Sequence, residues 1–564
     1  MRQGYKPLPK KGKGLYYDPL YGYVPLHPVV REALHLPTVQ RLRDVKQLNT
    51  VEMVFTGATH NRLAHSVGVT HLASKVFDVL QYKYKHGPQA EERIERVSED
   101  IPQLLPTHKL ALQLAGLFHD VGHGPGSHAF ETFCERHHDF REMNHTRLTK
   151  QLITVGVNGY DDIPEFLSSL YQKNEGTLPH AEILKPENIA ALATGNKPPF
   201  NSEYTFLSQI IASDYDVDRM DYLRRDAYYT GVETGIVDIW ELLHSFVMYP
   251  TKEGNTTIWN VGISESAAQS LETLLKTRDL TYRRVYYHPT HRTAQEMMIF
   301  GLCDVRDNVD PSDLALLTDS ELLNCLSSDN IGTPFSKDIV EKLNRRDLYE
   351  PLPFEINVQQ NLDDSARTQL SHLNKPRSRV EYEEFLDKLA TLNEKLDLPD
   401  KYSIIFDLSR APLMDQEALS EKYLYDEQAQ ERKSLFEIFP HLEMQYGNYT
   451  LPGQEEDISL AEKYRNHVSS LLIIVPVEFL WHCVSKIKRK LQSGGEQGDL
   501  SLGPEAKQDA ATEVYEEKIE IIIKSFIEII KLSEEEKKEL LLNEFKSSTK
   551  RYLVKLLEHD IDSD

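Results

Sequence analysis

Cysteine is scarce. Only Cys134, Cys303, Cys325 and Cys483 occur in 564 residues, and no two stand at CxxC spacing. That argues against a disulfide framework and a zinc ribbon, and fits a reducing compartment. Long apolar runs are also lacking. The longest, Leu471 to Trp481, contains Pro476 and Glu478 and is too short to span a bilayer, so no membrane partner is expected. The basic N-terminal segment, MRQGYKPLPKKGKG, is followed by no apolar stretch of the signal-peptide kind, and the expected location is cytoplasmic. Positive charge is in deficit. Lys and Arg number 64 against 88 Asp and Glu, a net charge of −24. That weighs against nucleic acid as a partner across one broad surface, while a local basic pocket survives it. What is present is an ordinary globular composition, 40% hydrophobic, too apolar for a disordered chain.

The pattern along the chain predicts a mainly α fold. Residues 1–26 read as an irregular lead-in with a hairpin around Asp18-Pro-Leu-Tyr-Gly22. From 27 to 310 the apolar spacing is mostly helical, as at Leu110, Leu114, Leu117 and Phe118. A short strand is expected at Thr256–Asn260. Residues 311–490 form a mixed α/β region, with a strand-like stretch at Tyr402–Phe406. Residues 491–512 read as a linker. Helices are expected over 513–564, with Tyr515, Ile519, Ile522, Ile523, Phe526 and Ile530 on one face of the first and Phe545, Tyr552, Leu553, Leu556 and Leu557 on the second.

Histidine is crowded in one place. Of 22 histidines, 11 lie between His60 and His145, and histidine is both the common metal ligand and the side chain that exchanges protons near neutral pH. The densest part is Leu117-Phe-His-Asp-Val-Gly-His-Gly-Pro-Gly-Ser-His-Ala-Phe-Glu131. A helix stopping at Gly122 to Gly126 would carry His119 and Asp120 on its last turn, with His123 pointing into the same space. Upstream, His65 opens a helix that continues through Val67, Val69, Leu72 and Val76. Downstream, Asp214, Asp216 and Asp218 stand in a helical context, which is costly unless they face water or a cation. His65, His119, Asp120 and Asp218 together supply four ligands for a divalent ion (Mg, Mn, Fe or Zn), with positions left for water and substrate. A lone His-Asp pair is common by chance, and an aspartate cluster is often a solvated helix face. The ordered set makes the bland reading the weaker one.

These segments resemble the HD-domain phosphohydrolase superfamily, and within it the dGTPase-like dNTP triphosphohydrolases. The likeness runs through Asp18-Pro-Leu-Tyr-Gly-Tyr, Gln40-Arg-Leu-Arg-Asp-Val-Lys-Gln-Leu48, His60-Asn-Arg-Leu-Ala-His-Ser-Val-Gly68, His119-Asp-Val-Gly-His-Gly-Pro-Gly-Ser-His128, Asp216-Val-Asp-Arg-Met-Asp-Tyr222 and Arg278-Asp-Leu-Thr-Tyr-Arg-Arg-Val-Tyr286. The resemblance implies a helical HD core and the conversion of a dNTP and water to deoxynucleoside and triphosphate. It implies that His65, His119, Asp120 and Asp218 hold the metal, and that His123, His128 and His145 approach the α-phosphate. His128, oriented by Glu131, is then the first choice as the acid that protonates the leaving 5′-oxygen, and His145 the second. Arg62, Arg219 and Arg278 match phosphate-contacting positions. Gln47, Tyr222, Asp226 and Tyr286 fall at substrate-binding positions, with a tyrosine ring crowding any 2′-hydroxyl. Gln40 and Arg43 match a site for an activating nucleotide, although His35 and Gly14 depart from the pattern of the animal members there. The resemblance further implies a homo-oligomer, and some members of the family limit viral or phage replication by depleting dNTPs.

Rival readings are another HD-family phosphohydrolase, such as a monophosphatase or phosphodiesterase, and a nuclease or nucleic-acid-binding module. Val121-Gly-His123 follows the His-Asp pair where alarmone hydrolases carry Glu-Asp, and no GYP signature of cyclic-dinucleotide phosphodiesterases follows it. The charge of −24 opposes the nucleic-acid reading.

Overall fold

Helix α1 (Arg62–Gln81) begins where the Asn61 side chain accepts a hydrogen bond from the Ala64 amide at 2.9 Å, satisfying one of the helix's orphan donors. Its buried face includes His65, Val69, Leu72, Val76, Phe77 and Leu80. Helix α2 (Pro106–Phe118) starts at a proline and is buried along nearly its whole length, the signature of a central helix. The two helices approach closely at Gly116, where a Cβ would lie 3.2 Å from the Thr70 Cα. α2 ends at Phe118, four residues before the expected stop. The chain turns early because Gly122 is pressed against the next helix but one. A Cβ there would lie 2.3 Å from both the His145 carbonyl oxygen and the Thr149 nitrogen.

Helices α3 (His128–Arg136), α4 (His145–Thr154) and α5 (Val217–Thr230) complete the frame around α1 and α2. Asp216 caps α5 by accepting from the Arg219 amide at 2.8 Å, and Gly231 closes it at φ 70°. α5 packs on α1 at Gly68, where a Cβ would fall 1.9 Å from Asp221 Oδ1. Farther along come α6 (Ala268–Thr281), α7 (Pro289–Val305) and α8 (Asp319–Ser327).

This computed structural model describes residues 15–352 except 87–90, 92–100, 138–142, 235–236 and 255; beyond 352 it describes a discontinuous set that includes 379–396, 404–408, 423–439, 470–476 and 520–532. The fold is mainly α, with small sheets. The hairpin expected near Asp18 pairs Leu15–Asp18 with Gly22–Pro25. The strand expected at 256–260 is longer, Thr256–Ile263, and pairs antiparallel with Phe246–Glu253. The stretch Ser470–Val475 is a strand paired antiparallel with Ile405–Leu408, Glu350–Pro351 and Ile356–Asn357. Its unbroken apolar run is thereby explained, since Ile473, Ile474 and Val475 are fully buried.

One apolar core takes in residues from Val24 to Phe545, among them Ile405, Ile474 and Phe526. Ile522, Ile523, Phe526 and Ile530, expected on one helix face, are completely buried. At about 1.5–3 kcal/mol for each large apolar side chain buried, the described C-terminal helix is part of the core and not an appendage. Tyr515, Ile519, Leu553, Leu557 and the expected linker 491–512 lie outside the described residues. Among the described residues no helix is long and apolar enough to cross a membrane.

Candidate metal centre and active site

The start of α1, the end of α2 and the start of α5 meet at one point. His65 Nε2 lies 3.2 Å from His119 Nε2, 2.9 Å from Asp218 Oδ1 and 3.8 Å from Asp120 Oδ2. His119 Nε2 lies 3.3 Å from Asp120 Oδ1 and 3.7 Å from Asp218 Oδ1. The donor atoms of His65, His119 and Asp120 are all within 4.8 Å of one another, and all three residues are buried. Asp218 is the outer member, its side chain 34% exposed.

Hydrogen bonding fixes what these rings present. His119 Nδ1 donates to the Gly116 carbonyl at 2.9 Å, and His65 Nδ1 donates to Asp221 Oδ2 at 2.8 Å. In the neutral rings both Nε2 lone pairs then converge on each other and on two carboxylates, an arrangement that calls for a cation. The proton behaviour agrees. Burial disfavours charge on His65, but hydrogen bonds and charge from Asp218 and Asp221 override it and raise its pKa to about 10. His119 is likewise pushed up against the effect of burial by Asp120 and Asp218. Asp120 is held well below the carboxylate range despite burial by His119, Arg62 and His123. The pocket demands positive charge, and a nitrogen-oxygen donor set of this kind fits a divalent ion.

Behind His65 stands a support that sequence reasoning did not single out. Asp221 also accepts from Arg225 Nε at 2.8 Å and from the Tyr21 hydroxyl at 2.9 Å, and Arg225 Nη1 meets Asp18 Oδ2 at 2.9 Å. Asp221 and Arg225 are fully buried. The available signal was helical spacing: Asp218, Asp221 and Arg225 stand three and four residues apart on α5.

A second group sits alongside. Glu131 bridges two imidazoles. His128 Nδ1 donates to Oε2 at 2.9 Å, while His145 donates to Oε1 through Nδ1 and, at 2.9 Å, through its backbone amide. The link to His128 was expected; the link to His145 was not. Burial works against charge on His145, but Glu131's hydrogen bond and charge raise its pKa. The His128 side chain is 69% exposed. His123 stacks on His145 with ring centres 4.1 Å apart, and its Nε2 is 3.4 Å from Asp120 Oδ1. Burial and the nearby Arg62 and His145 keep His123 well below its ordinary pKa.

Both groups border a cleft of about 620 Å³, within the range of roughly 300–1,000 Å³ usual for small-molecule sites. Arg62, Arg219 and Arg278 all line it, as do Gln47, Tyr222, Asp226 and Tyr286. Their commitments differ. Arg62 donates to Asp120 Oδ2 at 2.6 Å and to Ser127 Oγ at 2.9 Å. Arg219 Nη1 is engaged by the carbonyls of Ser213 and Asp214. Among the described residues, Arg278 Nε and Gln47 Oε1 are buried without a hydrogen-bond partner. Asp226 accepts from His60 Nε2 at 2.8 Å and from the Tyr286 hydroxyl. Gln40 and Arg43 are not among the lining residues; Arg43 Nη2 donates to Gln40 Oε1 at 2.6 Å. The cleft is also lined by two ion pairs that no motif announced, Arg136 with Glu296 at 2.7 Å and Arg292 with Asp407 at 2.5 Å.

Comparison with known proteins agrees with this geometry. Residues 62–226 match the HD domain family, and residues 255–377 match the HD associated region. The chain is 26% identical to the Dictyostelium discoideum protein named deoxynucleoside triphosphate triphosphohydrolase SAMHD1 homolog, over 60% of each chain. It is 29% identical to the Danio rerio deoxynucleoside triphosphate triphosphohydrolase SAMHD1, over 50% of this chain and 44% of that one. It is also 29% identical to YwfO of Bacillus subtilis, named as uncharacterized, over 50% of this chain and 54% of the other. The chain thus spans about half the length of the curated relatives it matches. A solved structure of a hypothetical protein from Aquifex aeolicus superposes with a TM-score of 0.53 at 23% identity, covering 83% of this chain and 98% of that one, which speaks to the fold alone. The His-Asp cluster, the frame that holds it and the family match together show that this chain carries an HD domain over residues 62–226, followed by an HD associated region.

Proposed function

We propose that the chain hydrolyses deoxynucleoside triphosphates to deoxynucleoside and triphosphate. The observation that carries this reading is the single cleft into which the metal-type cluster, the Glu131-linked histidines, three arginines and the Asp226–Tyr286 pair all open. The printed names of the Dictyostelium and Danio relatives support the substrate class. His65, His119, Asp120 and Asp218 would hold one divalent ion. Such an ion supplies Lewis acidity toward a phosphoryl oxygen and a nucleophile at neutral pH.

The chain's own groups do the rest. Arg278, with an uncommitted buried Nε, and Arg62 and Arg219 at the cleft wall bind phosphate oxygens, for which guanidinium forks are suited. Tyr222, Tyr286, Asp226 and Gln47 receive the sugar end. Water oxygen bonds to the α-phosphorus and gives up a proton to solvent, the bond from that phosphorus to the 5′-oxygen breaks, and the departing oxygen takes a proton from His128, which regains one from solvent. Glu131 holds Nδ1 of that ring and so leaves Nε2 to deliver it. A second assignment has a specific observation behind it: Glu131 also holds His145, whose pKa is raised, so His145 is the alternative acid. Gln40 and Arg43 are proposed to bind an activating nucleotide at a contact between copies of the chain, with sedimentation in the presence and absence of dNTPs as the check.

The deciding experiment incubates the purified chain and a divalent metal with each dNTP, singly and mixed, and resolves the products. Equal amounts of deoxynucleoside and triphosphate are expected. Release of orthophosphate or pyrophosphate, or turnover of deoxynucleoside monophosphates as fast as triphosphates, would overturn the reading.

A further inference from the structure

The loop between α2 and α3 adopts a backbone its residues do not favour. Ser127 has φ 50° and ψ −112°, a region sparsely populated by residues with a side chain, which persists only where the surroundings impose it. Gly126 before it has φ 64°, and a Cβ there would meet Met298 Sδ at 2.8 Å. His128, the first residue of α3, follows directly, so this turn sets where its imidazole starts.

Two contacts on Ser127 oppose relaxation. Its hydroxyl donates to the Lys46 carbonyl at 2.9 Å and accepts from Arg62 Nε at 2.9 Å. The third hold comes from far away in sequence. Asp319, at the start of α8, accepts from the Gly126 amide through Oδ1 at 2.8 Å and from the Lys46 amide through Oδ2 at 2.9 Å. One carboxylate therefore ties together two backbone segments. One leads into Ser127 and His128, the other into Gln47. Lys46 is also bridged to Asn61, and the Arg62 amide donates to the Val45 carbonyl at 3.0 Å, so the tie extends to the residue whose guanidinium supports Asp120. Asp319 lies in the associated region and Gly126 in the HD domain, so the contact joins the two.

We propose that Asp319 is a positioning residue for the active site: by clamping the Gly126 and Lys46 amides it holds the strained turn that presents His128 and Arg62. The proposal rests on the hydrolytic reading of the cleft given above. Charged acceptors on backbone N–H groups are among the stronger hydrogen bonds, and an amide in place of the carboxylate keeps one acceptor oxygen and presents a donor to the other N–H. Asp319→Asn is thus the informative change. Thr318→Ala is its control, because Thr318 caps the same helix by accepting from the Glu321 amide at 3.3 Å and has no part in the clamp.

Both variants are compared with the full chain by amide hydrogen exchange, metal content, thermal midpoint and steady-state dNTP kinetics across pH. In Asp319→Asn, faster exchange is expected at Gly126 and Lys46. kcat should fall by about 10²-fold, the scale of an ångström's misplacement. KM and bound metal should change little, and the alkaline limb of the kcat profile, where the proton donor is lost, should move. Thr318→Ala should lower the midpoint and leave exchange in this loop and kcat as they were. Unaltered exchange at Gly126 and Lys46 in Asp319→Asn overturns the proposal, as does an equal loss of kcat in Thr318→Ala. If the unaltered chain turned over no dNTP, the functional reading would fail by itself, and the exchange measurement would still decide the clamp.

Discussion

Replacing Asp221 by Asn should weaken metal binding without touching a ligand. In the folded chain this carboxylate receives His65 Nδ1–H, Arg225 Nε–H and the Tyr21 hydroxyl, all within 2.9 Å. Arg225 is fully buried, with Asp18 as its other carboxylate. Outer-shell partners of a metal-bound histidine are typically worth about 10–100-fold in metal affinity, or roughly 1.4–2.7 kcal/mol. Leaving a buried arginine short of a charge partner costs on the order of 3–5 kcal/mol of stability, part of which Asp18 and the remaining amide oxygen offset. The substitution should therefore lower metal affinity by one to two orders of magnitude and lower the thermal midpoint, with far-UV dichroism unchanged at low temperature. Competition against a chelator of known affinity, followed by metal analysis, measures the first quantity. There is also a pH signature. Arg225 and His65 depress the Asp221 carboxyl below its usual range in spite of burial. Its contribution is therefore complete above about pH 4 and is lost as pH falls below that. The wild type should lose stability there more steeply than Asp221→Asn. Equal metal affinity in the two proteins would refute the claim that Asp221 orients His65.

Asp120→Ala should abolish activity and bound metal while leaving the helical dichroism, because Asp120 joins His65, His119 and Arg62 at one point; a fully active variant would remove the metal assignment. His128→Ala and His145→Ala should separate the two candidate acids: loss of the acid is expected to cost about 10²–10⁴-fold in kcat, and the variant retaining near-normal kcat identifies the ring that is not the acid. Gly68→Ala should destabilise the chain and reduce metal content together, since its Cβ would fall 1.9 Å from Asp221 Oδ1; a midpoint equal to wild type would contradict the close α1–α5 approach. His108, buried beside Tyr204 with Nε2 2.9 Å from His180 Nδ1, has its pKa lowered to about 3 by burial and then by His180. The unfolded chain takes up this proton near pH 6.5 and the folded one does not, so stability should fall from pH 6.5 to 5 by about 2 kcal/mol on this account. His108→Gln should flatten that slope in midpoint-against-pH measurements, and an unchanged slope would show that His108 is not the group responsible.

What could be read in the sequence was set by how each contact leaves its mark. The metal-type cluster was legible because its members are chemically rare and each sits at a helix end, at Asn61–His65, Phe118–Asp120 and Asp216–Asp218, where spacing and caps are visible in one dimension. The long strand at 470–475 is visible in the sequence as an apolar run, but its identity as a strand rests on its antiparallel neighbours at 350–351, 356–357 and 405–408. Asp221 carries no such mark, since an aspartate three residues after Asp218 looks like more of the same acidic face. Only burial against Arg225 and Gly68 distinguishes it. Asp319 could not have been found this way at all. Its partners are backbone amides, which every residue but proline carries, and they lie 193 and 273 positions away. An acid in the first turn of a helix is already accounted for by the helix dipole, so nothing in the local pattern asks for another role. Asp407 is hidden for the same reason, its pairing with Arg292 in the cleft wall spanning 115 residues. Side-chain chemistry is written where it occurs, whereas the groups that aim it are defined by tertiary neighbours. The ligands of such a site are therefore read earlier than its supports, and variants at the supports are the more searching test of the structure.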